Sequence, residues 1–338
     1  MKLTYILPSD LSHIGIKKKV KGQLHTFSKK YVTQLIYLKS PLHYINFHFN
    51  TLVALIRSDI IYVRYNPKVP LVNILCVLFS IRKTVFFEHN VKYDIELAYL
   101  KKSFERRIHL INEKIIILSK IYHVCVTTEI LNYLVSKGFS SLQMLYVQNG
   151  YQIEKVSPEN VDMSVVNAVS QLKKNGKKIM VFIGSHYPWH GLNNIIDEIK
   201  ELDSAQLIII GPKDKVPCQL PLNCHVIGSC NAHTLVSILE YCDYGFGPYC
   251  WDLIGITEGS PLKSREYLSY GLPIIVNYRD CAVDFGDLQP YIFDKRHNVN
   301  AVKEALSSHC DKSKLRQIAR ARLAWDQVLK PVFERIGS

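Results

Sequence analysis

The stretch Thr257-Glu258-Gly259-Ser260-Pro261-Leu262-Lys263-Ser264-Arg265-Glu266-Tyr267-Leu268-Ser269-Tyr270-Gly271-Leu272-Pro273 sets two glutamates beside a lysine at the start of a helix. Proline is favoured in a first helical turn, where its missing N–H has no intrahelical partner, so the helix is expected to begin at or near Pro261. Backbone N–H groups from Gly259 to Lys263 would then point outward and form an anion site of the size of a diphosphate. Lys263 is unfavourable for the helix dipole and makes sense beside a phosphate. Glu266, one turn further on, can accept two hydrogen bonds from adjacent hydroxyls such as those of a ribose. Charge-assisted bonds of that kind are worth roughly 1.5–3 kcal/mol each. Glu258 sits in the loop before the helix, and Gly271 is expected to end the helix. A bare pair of glutamates is common on solvent-facing helices. It is the Pro-Leu-Lys turn and the Gly-Leu-Pro ending that favour a binding site.

The elements that would hold this segment alternate. The first half reads as strand Leu3–Ile6, a loop containing Gly15, a helix near Lys17–Ser28, strands Thr33–Leu38 and Ile60–Arg64, helix Val69–Ser80 and strand Thr84–Phe87. A long amphipathic segment, Asp94–Ser119, then leads to strand His123–Thr127, helix Thr128–Lys137 and strand Leu145–Gln148. The second half repeats the grammar: strands Lys178–Ile183, Gln206–Ile210, His225–Ile227, Tyr244–Phe246 and Pro273–Val276, with helices Leu192–Leu202, Ala232–Tyr241 and Pro261–Tyr270. The polar stretch Val156–Lys177, with a helix near Val165–Leu172, is expected as the linker. Such alternation implies an α/β protein with two parallel sheets, one domain over residues 1–155 and the other over 170–314. Ligands of open parallel sheets bind beyond the carboxyl ends of the strands. That makes the loops Gly184–Gly191 and Gly211–Asp214 candidates, with Gly15 as a point of close backbone approach and His89 just after a strand.

The composition, with 48% hydrophobic and 21% charged residues, is that of an ordinary globular protein. The longest nearly apolar run, Val69–Ile81, is too short to span a bilayer, and the amino terminus has the length of a core strand rather than a signal peptide. Nine scattered cysteines suit reduced thiols in the cytoplasm. Cys218, Cys224 and Cys230 recur near His225 and His233, but at no common zinc spacing. The net charge of +13 resides in residues 1–155, which hold 22 basic and 9 acidic residues. Lys17, Lys18, Lys19, Lys21, Lys29 and Lys30 are the densest cluster, joined by Lys101, Lys102, Arg106 and Arg107. This asymmetry points to a polyanionic partner or an anionic membrane surface; no nucleic-acid motif accompanies the lysines.

The 257–273 segment resembles the Glu-x7-Glu signature of retaining glycosyltransferases of family 4, in the form SPLKxxEYxxxGxP. Phe182-Ile183-Gly184-Ser185 through Pro188-Trp189-His190-Gly191-Leu192 resembles that family's strand, phosphate loop and helix. Val147-Gln148-Asn149-Gly150 with Tyr151 resembles its PNG turn, and Ala324-Trp325-Asp326 to Val332-Phe333 its last helices. The resemblance implies a GT-B fold, two Rossmann-like domains with parallel sheets facing across a cleft, the segment 315–338 crossing back to an acceptor-side first domain. It implies hexosyl transfer with retention, without metal or other cofactor, from a nucleotide diphosphate-sugar donor to a polyprenyl diphosphate-linked or polysaccharide acceptor. The site would combine His89, Glu258 and Lys263 as catalytic residues with Gly15, Gly184, Ser185, His190, Gly211, Ser260, Leu262 and Glu266 binding the donor. The setting would be cell-surface polysaccharide biosynthesis, in the cytoplasm or at the inner face of the membrane. Two positions depart from the pattern: Ser185 and His190 stand where the family has an arginine and a lysine. Losing one such donor costs about 2.7–4 kcal/mol where measured. Lys263, Arg265, His186 or a protonated His190 could compensate, the last giving activity that falls as pH rises. A sugar-nucleotide epimerase and a degenerate binding subunit are the competing readings.

Overall fold

Short runs of β-branched and aromatic residues form strands because their stiff side chains suit a pleated, packed surface. The computed structural model describes every residue except Glu154, Lys155, Ser185, His186 and Ser338, and every side chain of those except Pro41 and Lys215. The chain divides into two compact units, Met1–Gly150 with Trp325–Ser338, and Tyr151–Ala324.

The first unit runs β1 (Lys2–Leu7), α1 (Ile14–Ser28), β2 (Val32–Tyr37), α2 (Tyr44–Arg57), β3 (Ile60–Arg64), α3 (Pro70–Phe79), β4 (Thr84–His89), α4 (Tyr93–Tyr99), α5 (Ser103–Ile117), β5 (Tyr122–Cys125), α6 (Thr128–Ser136) and β6 (Met144–Tyr146). Its six strands are parallel in the order β2-β1-β3-β4-β5-β6. Alternate strand residues face opposite ways. Ile6, Ile61, Val63, Val85 and Phe87 meet α2, α3, α5 and α6 in one core. On the other face Tyr62 packs against Phe27 of α1.

The second unit runs α7 (Met163–Lys174), β7 (Lys178–Ile183), α8 (Leu192–Ile199), β8 (Ala205–Ile210), β9 (Cys224–Val226), α9 (Ala232–Leu239), β10 (Tyr244–Phe246), β11 (Glu258–Gly259), α10 (Leu262–Ser269), β12 (Ile274–Val276), β13 (Arg279–Asp280), β14 (Ile292–Asp294), α11 (Ala301–Ser307) and α12 (Lys312–Arg322). The main sheet is parallel, β14-β12-β10-β7-β8-β9, and β11 pairs with β13 apart from it. Val181, Ile208 and Ile274 face α7, α9, α10 and α12. Met180, Phe182 and Ile209 face α8 and α11. A sheet covered on both faces explains why these strands read as unbroken apolar runs. Two last helices, α13 (Trp325–Val328) and α14 (Lys330–Gly337), belong to the first unit, where the Trp325 indole lies on Gly22 of α1 and Phe333 against Phe27.

The structure differs from the sequence expectations at several points. Helix α2 has no counterpart among them: its Asn, His and Thr residues blur the pattern, and no side chain caps its start. The segment 94–119 is two helices, because Lys101 turns the chain through the left-handed region at φ 54°. The helix expected within the linker is α7, but it is part of the second unit, where its Val166 and Val169 join the core, as do Leu315, Ala319 and Leu323. Gly15 lies inside the first turn of α1 rather than in a loop. Lys19 is not part of a solvated cluster: it is buried, 2.8 Å from the Glu88 carboxylate, with its Nζ also donating to Asn90 Oδ1 at 2.7 Å.

Candidate functional site

In the second unit, β11 and α10 meet at the turn Gly259-Ser260-Pro261. Pro261 is extended (φ −71°, ψ 141°) and occupies the cap position, so the helix proper starts at Leu262, one residue later than expected. The Trp251 ring packs so closely on Gly259 that a Cβ there would come within 1.9 Å of it, which excludes any larger residue. At the other end Gly271 takes φ 82° and closes α10, as its sequence position predicts.

The turn is held from behind by charges that the sequence does not reveal. Arg265 is fully buried, ion-paired to Asp280 of β13, and its Nη2 donates to Ser260 Oγ at 2.9 Å. Asp280 also accepts from the Tyr278 hydroxyl at 2.9 Å and from the Ala282 N–H at 2.9 Å. Arg265 therefore positions the turn and is not free to replace a missing phosphate ligand.

Lys263, on the first turn, reaches the carboxyl end of β7. Its Nζ donates to the Ile183 carbonyl at 3.1 Å and lies 4.2 Å from the centre of the Phe182 ring. Desolvation lowers its pKa to about 7. Tyr267 ties the same two elements together, its hydroxyl accepting from the Ile183 N–H at 2.9 Å. Gly184 follows directly, bonded through its N–H to the Ile210 carbonyl at 3.0 Å, so Gly184 and Gly211 terminate neighbouring strands. A Cβ on Gly184 would stand 3.2 Å from His190 Nδ1, which brings the far end of the loop back to its beginning. Lys263, Gly184, His190 and Gly211 thus gather at the ends of β7 and β8. Ser185 and His186 lie outside the described residues.

Both glutamates are withdrawn from bulk solvent, each 6% exposed. Glu258 forms an ion pair with Arg279, which also reaches Asp284. Glu266 Oε1 accepts from the Tyr151 hydroxyl at 2.9 Å. Arg279, Asp280 and Tyr151 are the partners that sequence reasoning missed. Tyr151 stands in the PNG-like turn, but nothing local links it to a carboxylate 115 positions away in the chain.

The remaining candidates are in the first unit. His89 is the last residue of β4 and is buried, its Nε2 3.0 Å from His123 Nδ1 and its ring packed on Tyr65. Burial, with His123 and His109 nearby, holds its pKa well below the usual histidine value, so it is neutral. A small cavity beside it is lined by Tyr65, Tyr93, His109 and Glu113. Among the described residues, no cluster of His, Cys, Asp or Glu has the makings of a metal site; Cys218 is exposed and Cys224 buried in β9.

No family model matches the chain, and neither does any curated protein. Solved structures do. Over 100% of this chain and 99% of its own, HepE from Anabaena, in complex with UDP and glucose, is similar at a TM-score of 0.68 and 12% identity. Sucrose-phosphate synthase from Thermosynechococcus elongatus is similar over 100% of this chain and 99% of its own, at 0.67 and 11%. UDP-GlcNAc 2-epimerase from Neisseria meningitidis, bound to UDP-GlcNAc, is similar over 99% of each chain at 0.52 and 10%. The fold class is α/β of the GT-B type, two Rossmann-like units each built on a six-stranded parallel sheet. At these identities the likeness is one of fold.

Proposed function

We propose that the chain is a retaining glycosyltransferase that moves a hexose from a nucleotide diphosphate-sugar to a glycan or a polyprenyl diphosphate-linked acceptor. The observation that carries this reading is the β11–α10 turn, which combines a helix start, Lys263 and two sheltered carboxylates at the end of a parallel sheet. In this reading the diphosphate takes the N–H groups of the Ser260–Lys263 turn and lies against Gly184 and Gly211, which end β7 and β8, together with His190 and, from its place in the sequence, Ser185. Glu266, steadied by Tyr151, accepts the ribose hydroxyls. Glu258, ion-paired with Arg279, receives the hydroxyls of the donor sugar. Lys263 neutralises charge on the departing diphosphate, the point at which a preorganised cation lowers the barrier most. No metal or other cofactor is assigned a part. HepE and sucrose-phosphate synthase support the transferase class, and the UDP bound to HepE makes uridine diphosphate the first ligand to try.

The basic first unit suits an acceptor presented at an anionic membrane surface, with the protein peripheral on its cytoplasmic side. Nucleic acid is not a proposed partner. An epimerase is the second reading, favoured by the fold it shares with the Neisseria meningitidis enzyme. Donor consumption that needs an acceptor separates the two. A binding subunit without turnover is a third, favoured by Ser185 and His190.

The deciding experiment is calorimetry with uridine and guanosine diphosphates and their hexose conjugates, on the parent chain and on Glu266→Ala. Loss of a ribose-binding carboxylate should weaken diphosphate binding at least about tenfold, the equivalent of 1.4 kcal/mol, and abolish turnover. Unchanged affinity and turnover would overturn the site. For His89, His89→Asn should lower turnover while leaving diphosphate affinity intact.

A further inference from the structure

The helices α2, α3 and α5, on one face of the first sheet, carry large apolar residues on their outward side as well as their inward one. Their inner residues, among them Phe47 and Leu55 of α2, Val72 of α3 and Ile116 of α5, share the core. Their outer residues are apolar too: Phe49 is 64% exposed, Ile56 60%, Leu78 58%, Phe104 72% and Ile111 61%. Helix α3 packs against both α2 and α5, so these exposed apolar residues lie on three adjoining helices of one layer. Single exposed apolar residues are ordinary; a patch running over three helices is a contact surface.

Its charge selects the occupant. Helix α3 carries no charged residue, and Asp59 is the sole acidic residue between Ser40 and Lys83. Exposed cations lie on or beside the same three helices: Arg57 at the end of α2, Arg82 after α3, Lys101 before α5, and Arg106 and Arg107 near its start. A second copy of the chain would set these cations against each other. An anionic bilayer satisfies both features at once, since acyl carbons take the phenylalanine and aliphatic side chains while the flexible cationic ones reach lipid phosphates. No helix among the described residues is long and apolar enough to cross a membrane. We infer that the outer face of α2, α3 and α5 docks in the plane of an anionic bilayer, its apolar side chains entering the boundary between headgroups and acyl chains. The inference deepens the reading of the first unit as membrane-facing and is independent of the donor site, which lies in the second.

The test is flotation of the full chain with vesicles of equal parts phosphatidylglycerol and phosphatidylcholine, against phosphatidylcholine alone, at low and physiological salt. The parent chain should float with the anionic vesicles and only weakly with the neutral ones. The variant F49S/L78S/I111S should lose at least about tenfold in partitioning, because insertion scales with the apolar area buried. R106Q/R107Q should weaken binding and leave the remainder less sensitive to salt. Melting temperature and uridine diphosphate binding of each variant verify that it is folded, so a failed donor reading would show separately. Flotation of the serine variant equal to the parent would overturn the proposal. So would a parent chain that ignores vesicles, whether it sediments as a dimer that the serine variant dissociates or stays monomeric and binds an acidic protein through this face.

Discussion

Lys263 is a buried cation whose surroundings already weaken its hold on a proton. In the free protein its ammonium has a backbone carbonyl and an aromatic face for company but, among the described residues, no counter-ion, and desolvation lowers its pKa to about 7. A bound diphosphate would stabilise the charged form and raise that pKa again. The sign follows: with the free-state pKa below that of the complex, affinity is greatest below about pH 7 and falls as pH rises through it, by up to about tenfold per unit. Binding at pH 8 should therefore take up a proton, visible as a dependence of calorimetric heat on the ionisation enthalpy of the buffer. Lys263→Met should abolish the uptake and flatten the pH profile of affinity. Glu258 and Glu266 show the complementary arrangement, with Arg279 and Tyr151 holding their oxygens in fixed directions.

At the scale of elements, the β11–α10 turn is as rigid as the network behind it. Arg265 and Asp280 are both fully buried; Arg265 donates to Ser260 Oγ, Asp280 accepts from the Tyr278 hydroxyl and the Ala282 N–H, and Ser264 bonds Tyr278 in turn. Removing one member of such a pair strands a charge in an apolar interior and costs about 3–5 kcal/mol, whereas replacing both can be nearly neutral. Arg265→Met should lower the urea midpoint of the second unit accordingly, and R265M/D280L should recover most of the loss. If the double variant is stable yet binds uridine diphosphate more weakly, the network serves the turn's geometry more than the unit's stability. Little of this was legible locally: Arg265 reads as a helix-surface residue until β13 is brought beneath it.

For the whole molecule, the carboxyl-terminal segment decides which residues form a unit. Trp325 is buried against Gly22, and Phe333 packs 5.8 Å from Phe27, so the last fourteen residues complete the α1 face of the first sheet. Trp325→Ala would leave a cavity there, at a cost of about 3–5 kcal/mol. Hydrogen exchange should show amides of β1 and β3 losing protection while those of β7 and β10 keep theirs. Equal loss in both units would contradict the division. The core strands themselves were readable, β3, β7 and β10 to the residue, because a strand covered on both faces is a continuous apolar run. Helix α2 was not, because Ile45, Phe49 and Ile56 share its exposed side with Asn46 and Asn50 while Thr51 is buried, which blurs the period.

The sequence by itself determined that strands and helices alternate in two halves, that the first half carries the excess positive charge, and that residues 257–273 form a turn and helix closed by Gly271. These follow from local rules, in which side-chain shape, periodicity and capping act over a few residues. Only the tertiary structure decided that Lys19 is buried, that Arg265 is ion-paired behind the turn, that Tyr151 and Arg279 hold the two glutamates, and that residues 315–324 belong to the second unit and 325–338 to the first. Each of these depends on which distant segment supplies the counter-charge or the covering surface. The stabilisation of a buried charge comes from a partner far along the chain, and no local pattern records which partner that will be.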